Sequence, residues 1–414
     1  MKSSIYSARI LWLIFLTIFI DMLGIGILIP VFPLLIIPHS EFNIIPANWD
    51  SAAVFVMAGW LLAAYPLAQF IFSPLLGQFS DKYGRRKVLA ISIVGTAFSY
   101  ILFAVGIHLK NIPLMFLSRI FDGATGGNIA IAQAIIGDIS KPADRAKNFG
   151  LVGVAIGIGF VFGPFVGGKL SDPLLVSSFN AATPFYFAAF ISFINALLVI
   201  SLLPETLQKR CRVEIELTRP FANIVKAFTN IQLRNIIPVV FLFNAGFTFF
   251  TTFWGVILVD EFLFSQGQVG NFFAYMGIMI ILAQGMFVRR LSGKVADYKV
   301  LRFSLIGTAC CLSCYYLISA THPLYVYLIP PFLAVFTALN KAFSNSLISR
   351  VTPAAHLGEA MGINSSANAL ANALPALFAG YIAAEHVRLP ILVGALVTFV
   401  AWLFFVINYK KYQN

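Results

Sequence analysis

Charge is what this sequence has least of. Of 414 residues only 11% are Asp, Glu, Lys or Arg, against roughly 25% in soluble domains. A chain so poor in charge cannot cover a soluble surface of that size, and it lacks the solvating composition of a disordered one. Cysteines are four: Cys211, Cys310, Cys311 and Cys314. Three fall in one apolar segment, so no disulfide scaffold is expected. Cys310-Cys311-x-x-Cys314 has no histidine beside it. It reads as small residues packing between helices rather than as a zinc site. The five histidines (His39, His108, His322, His356, His386) fall in predicted loops or helix ends, and no two form a zinc-hydrolase pattern. No P-loop is present, so ATP drive has no support. No nucleophile–base set is visible. An enzyme, a nucleic-acid-binding domain, a metal and a cofactor are all not expected.

What is abundant is apolar surface. Hydrophobic residues make up 59% of the chain. A spanning helix needs about 20 consecutive apolar residues. Such runs stand at 9–37, 52–79, 88–107, 112–140, 145–169, 183–203, 235–260, 267–291, 300–320, 324–350, 358–383 and 390–409. They predict an all-α membrane protein with twelve transmembrane helices, multi-pass in the lipid bilayer. Residues 1–8 are too short and too polar for a signal peptide, so the first run is expected to be retained.

The basic excess is a matter of topology. The chain has 28 Lys and Arg against 16 acids, a net charge of +12. With the N-terminus in the cytoplasm, 23 of the 28 fall on the cytoplasmic side. These include Lys82 to Lys87, Lys141 to Lys147, the group from Lys209 to Arg234, Arg289 to Arg302, and Lys410 and Lys411. Only Lys110, Lys169 and Arg388 fall opposite, while Arg119 and Lys341 sit inside helices. This positive-inside bias puts both termini in the cytoplasm.

The longest interruption, 204–234, is polar and basic and divides the runs six and six. A weak repeat agrees. Gly77-x-x-x-Asp81 and Gly293-x-x-x-Asp297 recur at an offset of 216 residues, which also aligns Arg86 with Arg302. The expectation is two pseudo-symmetric six-helix bundles, 1–204 and 235–414, joined by a cytoplasmic linker at 205–234. Parallel halves of this kind are a known transporter architecture.

Four strings carry chemistry. The first is GQFSDKYGRRK, residues 77–87. Gly77 would permit close helix approach and Gly84 a tight turn, with Asp81 an acid among the cations Arg85 and Arg86. The pattern resembles the signature of the major facilitator superfamily. The resemblance implies a conformational latch at Gly77, Asp81, Gly84, Arg85 and Arg86, which helps hold the two halves together in the outward-open state. The second-half copy has Val300 where Gly84 would predict glycine.

The second string holds Gly159, Gly163, Pro164, Gly167 and Gly168 in the fifth run. Glycines four apart share one face and let another helix pack closely, and Pro164 limits the helix's own hydrogen bonding. The string resembles the motif typical of antiporters in this superfamily, which favours export over uptake. The third is Arg119-x-x-Asp122 in the fourth run. Residues three apart share a face and can pair, and a charge at this depth needs a partner or a wet cavity. Arg119 matches the superfamily's helix 4 motif, whose arginine is linked to proton transfer. A purely structural ion pair is the other reading.

The fourth string, FIDMLGIGILIPVFPLL at 19–35, places Asp21 about twelve residues into the first span. A carboxylate at that depth is the kind of group that can carry a proton. The string resembles helix 1 of the tetracycline/proton antiporters, where the aspartate is functionally important. A structural acid at a kink near Gly24, Gly26 and Pro30 is the alternative. Residues 137–168 and 349–370 follow the same group.

The chain also departs from that group. Its ninth run has no carboxylate, where those carriers have an aspartate; here it reads Thr308, Ala309, Cys310, Cys311. Lys341 is added in the tenth run. The resemblance implies that helices 1, 4, 7 and 10 line a cavity, so Lys341 is a candidate for substrate-charge recognition. An anionic or zwitterionic compound is then at least as suitable as tetracycline. Further candidate substrate contacts are Tyr65, Gln69, Asn244, Trp254, Asn340, Ser344 and Asn345, although polar groups inside apolar helices serve equally well as helix–helix hydrogen bonds. The resemblance implies a proton-coupled exporter of small molecules, a drug or an endogenous metabolite such as a siderophore. Its partners would be protons and substrate. It would be monomeric and set in a bacterial inner membrane, with Asp21, Asp122 and Arg119 in proton coupling. The alternatives are an importer or symporter of a nutrient or siderophore, and a non-transporting membrane receptor.

Overall fold

The computed structural model describes residues 2–38, 40–140, 145–207, 215–230, 233–352 and 357–409. Cys211, His39, His356, Lys141, Lys209, Arg210, Arg212, Lys410 and Lys411 lie outside the described residues, as do the side chains of Lys2, Arg145 and Lys147. Regular structure among the described residues is all helical. The chain runs through α1 (Lys2–Ile36), α2 (Ser51–Tyr83), α3 (Arg85–His108), α4 (Ile112–Thr125), α5 (Asn128–Ile139), α6 (Arg145–Leu170) and α7 (Thr183–Leu202). It continues through α8 (Arg219–Thr229), α9 (Ile237–Asp260), α10 (Gln266–Ala283), α11 (Arg289–Leu291), α12 (Asp297–Leu317), α13 (Pro330–Val351), α14 (Leu357–Glu385) and α15 (Leu389–Tyr409). Among the described residues, eleven helices are long and apolar enough to cross a membrane. Their limits fall within a few residues of the apolar runs.

The run 112–140 is the exception. In place of one helix it forms α4 and α5, broken at Gly126–Gly127. Gly126 has φ −75°, ψ 24° and Gly127 has φ −82°, ψ 11°, outside helical geometry. Carbonyls released by the break find side-chain donors. Gln69 Nε2 of α2 donates to Gly126 O at 3.0 Å, and Ser92 Oγ of α3 donates to Thr125 O. A broken helix is tolerated at membrane depth only where its freed backbone groups are satisfied in this way.

The stretch expected to be a plain linker holds α8, an amphipathic helix. Its apolar Phe221, Ile224, Val225 and Phe228 recur at helical spacing. Asn223 Nδ2 donates to Ser366 Oγ of α14 at 3.0 Å, and Ala227 joins the core of that region.

Two compact units emerge. One comprises the described residues of 1–45, 67–219 and 265–274, the other those of 46–66, 220–264 and 275–414. The first is centred on Ile14, Ile18, Leu89, Ile93, Ile135 and Val199, contributed by α1, α3, α5 and α7. The second is centred on Ile237, Val240, Leu301, Leu305, Ile363 and Phe405, contributed by α9, α12, α14 and α15. Lipid is as apolar as leucine, so cohesion here comes from close packing and hydrogen bonds more than from expelling water.

Candidate functional site

Asp21 sits in the middle of α1, 6% exposed. Its Oδ1 accepts from Asn128 Nδ2 at 2.8 Å. Asn128 is the first residue of α5, so the break in the fourth run brings a side-chain donor at a helix N-terminus to the carboxylate. Helix N-termini carry a partial positive charge that favours an anion, and interrupted membrane helices use their ends in this way. Asp21 Oδ2 is buried without a hydrogen-bond partner among the described residues. Around Asp21 lies a small cavity lined by Thr17, Thr96, Asn128, Ser192 and Asn195, with two isoleucines. Thr17 Oγ1 lies 3.1 Å from Asn195 Oδ1.

One turn before the break, Arg119 and Asp122 form the ion pair that their spacing suggested. Arg119 Nη2 lies 2.8 Å from Asp122 Oδ2, both side chains being fully buried. The guanidinium also stands 4.9 Å from the centre of the Phe103 ring, a favourable cation–π arrangement when desolvated. Asp122 lies close enough to Asp21 for the two charges to act on each other. The first unit therefore gathers Asp21, Asp122 and Arg119 around one helix break.

The glycine string of α6 fastens α1 beside this site. A Cβ on Gly163 would lie 2.6 Å from Leu23 O and 2.8 Å from Gly26 Cα. Gly159 meets Phe19 O and Leu23 N in the same way, and Gly167 meets Ile27. Gly168 turns instead to Gly270 of α10, 3.0 Å from where its Cβ would stand. Pro164 closes the seam with a ring carbon 2.8 Å from the Cβ position of Gly26. Any side chain on these glycines would push backbone apart.

In the 77–87 loop, Arg85 is the hub. Its Nη1 reaches Asp81 Oδ1 and Ser80 Oγ at 2.6 Å, and its Nε reaches Asp138 Oδ2 at 3.1 Å. Gly84 has φ +106°, which suits glycine and strains other residues. Beyond it, Glu205 Oε1 accepts from Arg85 N at 2.9 Å and from Leu207 N at 3.1 Å, capping α3. Arg86 donates to Ile200 O. For Gly77, a Cβ would meet nothing within 4 Å among the described residues, so the close helix approach expected there has no counterpart among them. In the second-half copy, Asp297 is buried and accepts from Ser346 Oγ at 2.8 Å, with Arg350 Nε at 3.1 Å. Arg302, aligned with Arg86 by the repeat, is exposed.

In the second unit the polar candidates separate by face. Lys341 and Asn345, one turn apart on α13, are exposed. Among the described residues Lys341 has no ion-pair or hydrogen-bond partner. Asn340 and Ser344 are buried: Asn340 Nδ2 lies 3.5 Å from Ser304 Oγ of α12, and Ser344 Oγ lies 3.3 Å from Asn340 Oδ1. Trp254 is fully buried in an aromatic cluster, its ring 5.3 Å from Phe250 and 4.6 Å from Tyr315. Gln69 is the donor at the helix break, and Tyr65 is half-buried on α2. Asn244 Nδ2 donates to Asn368 Oδ1 at 2.8 Å, and Thr248 Oγ1 donates to Asn372 Oδ1 at 3.1 Å. This ladder of α9 and α14 was not anticipated, although Asn364, Asn368 and Asn372 recur every four residues in the sequence. Asn128, Thr17, Asn195, Asp138 and Glu205 were likewise missed.

Comparison with known proteins follows the same lines. Residues 14–340 match the family model described as Major Facilitator Superfamily. The chain is 29% identical over 296 residues to "Tetracycline resistance protein, class H" of Pasteurella multocida, covering 71% of this chain and 69% of that one. It is 27% identical over 318 residues to "Multidrug resistance protein 2" of Bacillus subtilis, covering 75% and 73%. Among solved structures, the human organic anion transporter MFSD10 superposes with a TM-score of 0.73 at 21% identity, covering 96% of this chain and 99% of that one.

Proposed function

Since the chain belongs to the Major Facilitator Superfamily, a family of membrane transporters, we propose that it is a proton-driven exporter of small molecules. The observation that carries this reading is the carboxylate of Asp21, buried at a helix break, with Asn128 as a neutral hydrogen-bond donor and no ion pair among the described residues. A buried charge left so weakly compensated is costly, and a proton relieves it. Asp21 is the proton carrier in this reading. Asp122, held by Arg119, is the neighbouring charge that modulates it. Similarity to tetracycline and multidrug resistance proteins supports export rather than uptake.

The substrate class follows from Lys341. An exposed ammonium without a partner on a membrane helix suits an anionic or zwitterionic organic compound, and the similarity to an organic anion transporter supports that choice. Asn345 shares its face. In this reading α4 and α5 together make a twelfth crossing, and both termini are cytoplasmic. Residues 1–204 and 235–414 are the two bundles joined by 205–234, and a monomer in a bacterial inner membrane works by alternating access. The Arg85 network acts as the conformational latch.

The test is flux in proteoliposomes carrying a pH-sensitive dye, with wild type and Asp21→Asn compared. Organic anions added to proton-loaded vesicles should drive protons out, and Asp21→Asn should abolish the signal. Proton entry together with substrate would establish a symporter and retire the export reading. Absence of flux for every compound would favour a receptor.

A further inference from the structure

The cavity beside Asp21 has an excess of acceptors. Side-chain oxygens come from Thr17, Asp21, Thr96, Asn128, Ser192 and Asn195, on α1, α3, α5 and α7. Among the described residues no lysine, arginine or histidine lines it. Two acceptor atoms on its lining residues are buried with no donor among the described residues: Asp21 Oδ2 and Asn128 Oδ1. Asn128 is 1% exposed, so bulk water does not supply that donor. Of the nearby charges, Asp122 acts on Asp21 but is itself matched by Arg119. The space, about 10 Å³, admits one water-sized particle. A neutral water could donate to both orphan oxygens, but it would leave the carboxylate's charge unmatched. A small hard cation matches the charge and takes oxygen ligands of this kind.

We infer that the pocket formed by Asp21, Asn128, Thr17, Ser192 and Asn195 is a binding site for a small monovalent cation, Na⁺ or Li⁺, which competes there with the proton. The inference deepens the proton-coupling reading, because it gives the same carboxylate a second occupant. It rests on Asp21 being the coupling group. The Asn128 side-chain amide then orients the carboxylate by donating to Asp21 Oδ1.

The test is equilibrium binding of radiolabelled sodium to the purified full-length protein in detergent, at alkaline pH, with choline holding ionic strength constant. Saturable binding is expected, displaced by unlabelled Li⁺ and by acid but not by choline. Asp21→Asn should abolish it and Ser192→Ala should weaken it, while Asp172→Asn, a buried carboxylate elsewhere in the same unit, should leave it intact. Thermal unfolding run alongside establishes that each variant is folded, with Na⁺ raising the Tm of wild type and not of Asp21→Asn. Absence of saturable sodium binding, with Asp21-dependent proton flux preserved, overturns the cation site, assigns the cavity to a water and leaves the proposed function standing. Sodium binding that survives Asp21→Asn also overturns it. Loss of both sodium binding and Asp21-dependent flux defeats the two readings together.

Discussion

Asn128 donates its side-chain amide to Asp21 across 2.8 Å and so ties the first turn of α5 to the middle of α1. The donor is available there only because the fourth apolar run breaks at Gly126–Gly127 and begins a new helix at Asn128. Replacing Asn128 by alanine leaves a buried carboxylate with no donor at all. The expected cost is about 1–3 kcal/mol, the penalty for an unsatisfied buried acceptor. A lowered Tm together with impaired substrate-driven proton movement would bear this out, and unchanged values of both would separate Asn128 from the site.

The Arg119–Asp122 pair makes a test by double substitution. Arg119→Ala strands a fully buried acid and should destabilise by about 3–5 kcal/mol. Asp122→Ala should do the same to the arginine. The double variant is expected to be less damaged than the sum of the two, because no charge is left alone. Additive losses in thermal unfolding would mean that the pair contributes little beyond packing.

Within α6 two glycines should behave oppositely. Gly163→Ala forces the α1 backbone away and should cost about 1–3 kcal/mol, in the range for overpacking. Gly157 has nothing within 4 Å of its Cβ position. Gly157→Ala should therefore be neutral or stabilising by up to about 1 kcal/mol, from helix propensity alone. Tm measured for both proteins decides the matter, and equal effects would dissociate the glycine string from helix packing.

For Lys341 the expected signature is kinetic rather than structural. Lys341→Gln removes no ion pair inside the protein, so Tm should hold. KM for an anionic substrate should rise between about 10- and 100-fold, the weight of a charge-assisted hydrogen bond. A neutral substrate should be affected far less. A fall in Tm with KM unchanged would assign Lys341 to packing.

How much of this was legible follows the range of each interaction. Apolar runs mark helices because crossing the bilayer core demands them, and eleven of the twelve were placed to within a few residues. The fourth was misread as continuous, since Gly126 and Gly127 are embedded in apolar sequence that hides a turn. Arg119 and Asp122 were paired correctly because the partners are three residues apart on one helix. Asp21 stood out by its depth, but its shell of Thr17, Asn128 and Asn195 did not. Single small polar residues in long apolar stretches look alike until tertiary structure brings them together. Glu205 escaped for the same reason: it caps α3 from 120 residues away. Trp254 was read as a pocket residue from its type alone, and its position inside an aromatic cluster depended on Tyr315 of a distant helix. The helix α8 was overlooked because net polarity outweighed the spacing of Phe221, Ile224, Val225 and Phe228.

The seam of glycines between α1 and α6 has a mechanical side. At Gly159, Gly163 and Gly167 the two helices meet backbone to backbone, so little there can give way. They act as one beam. Asp21 is carried on that pair, so α1 and α6 should move the carboxylate together. The break at Gly126–Gly127 is the opposite element, an interruption of the helix held by Gln69 and Ser92. Asp21 therefore sits between a closely packed helix pair and a helix break, and its hydrogen bond to Asn128 joins the two.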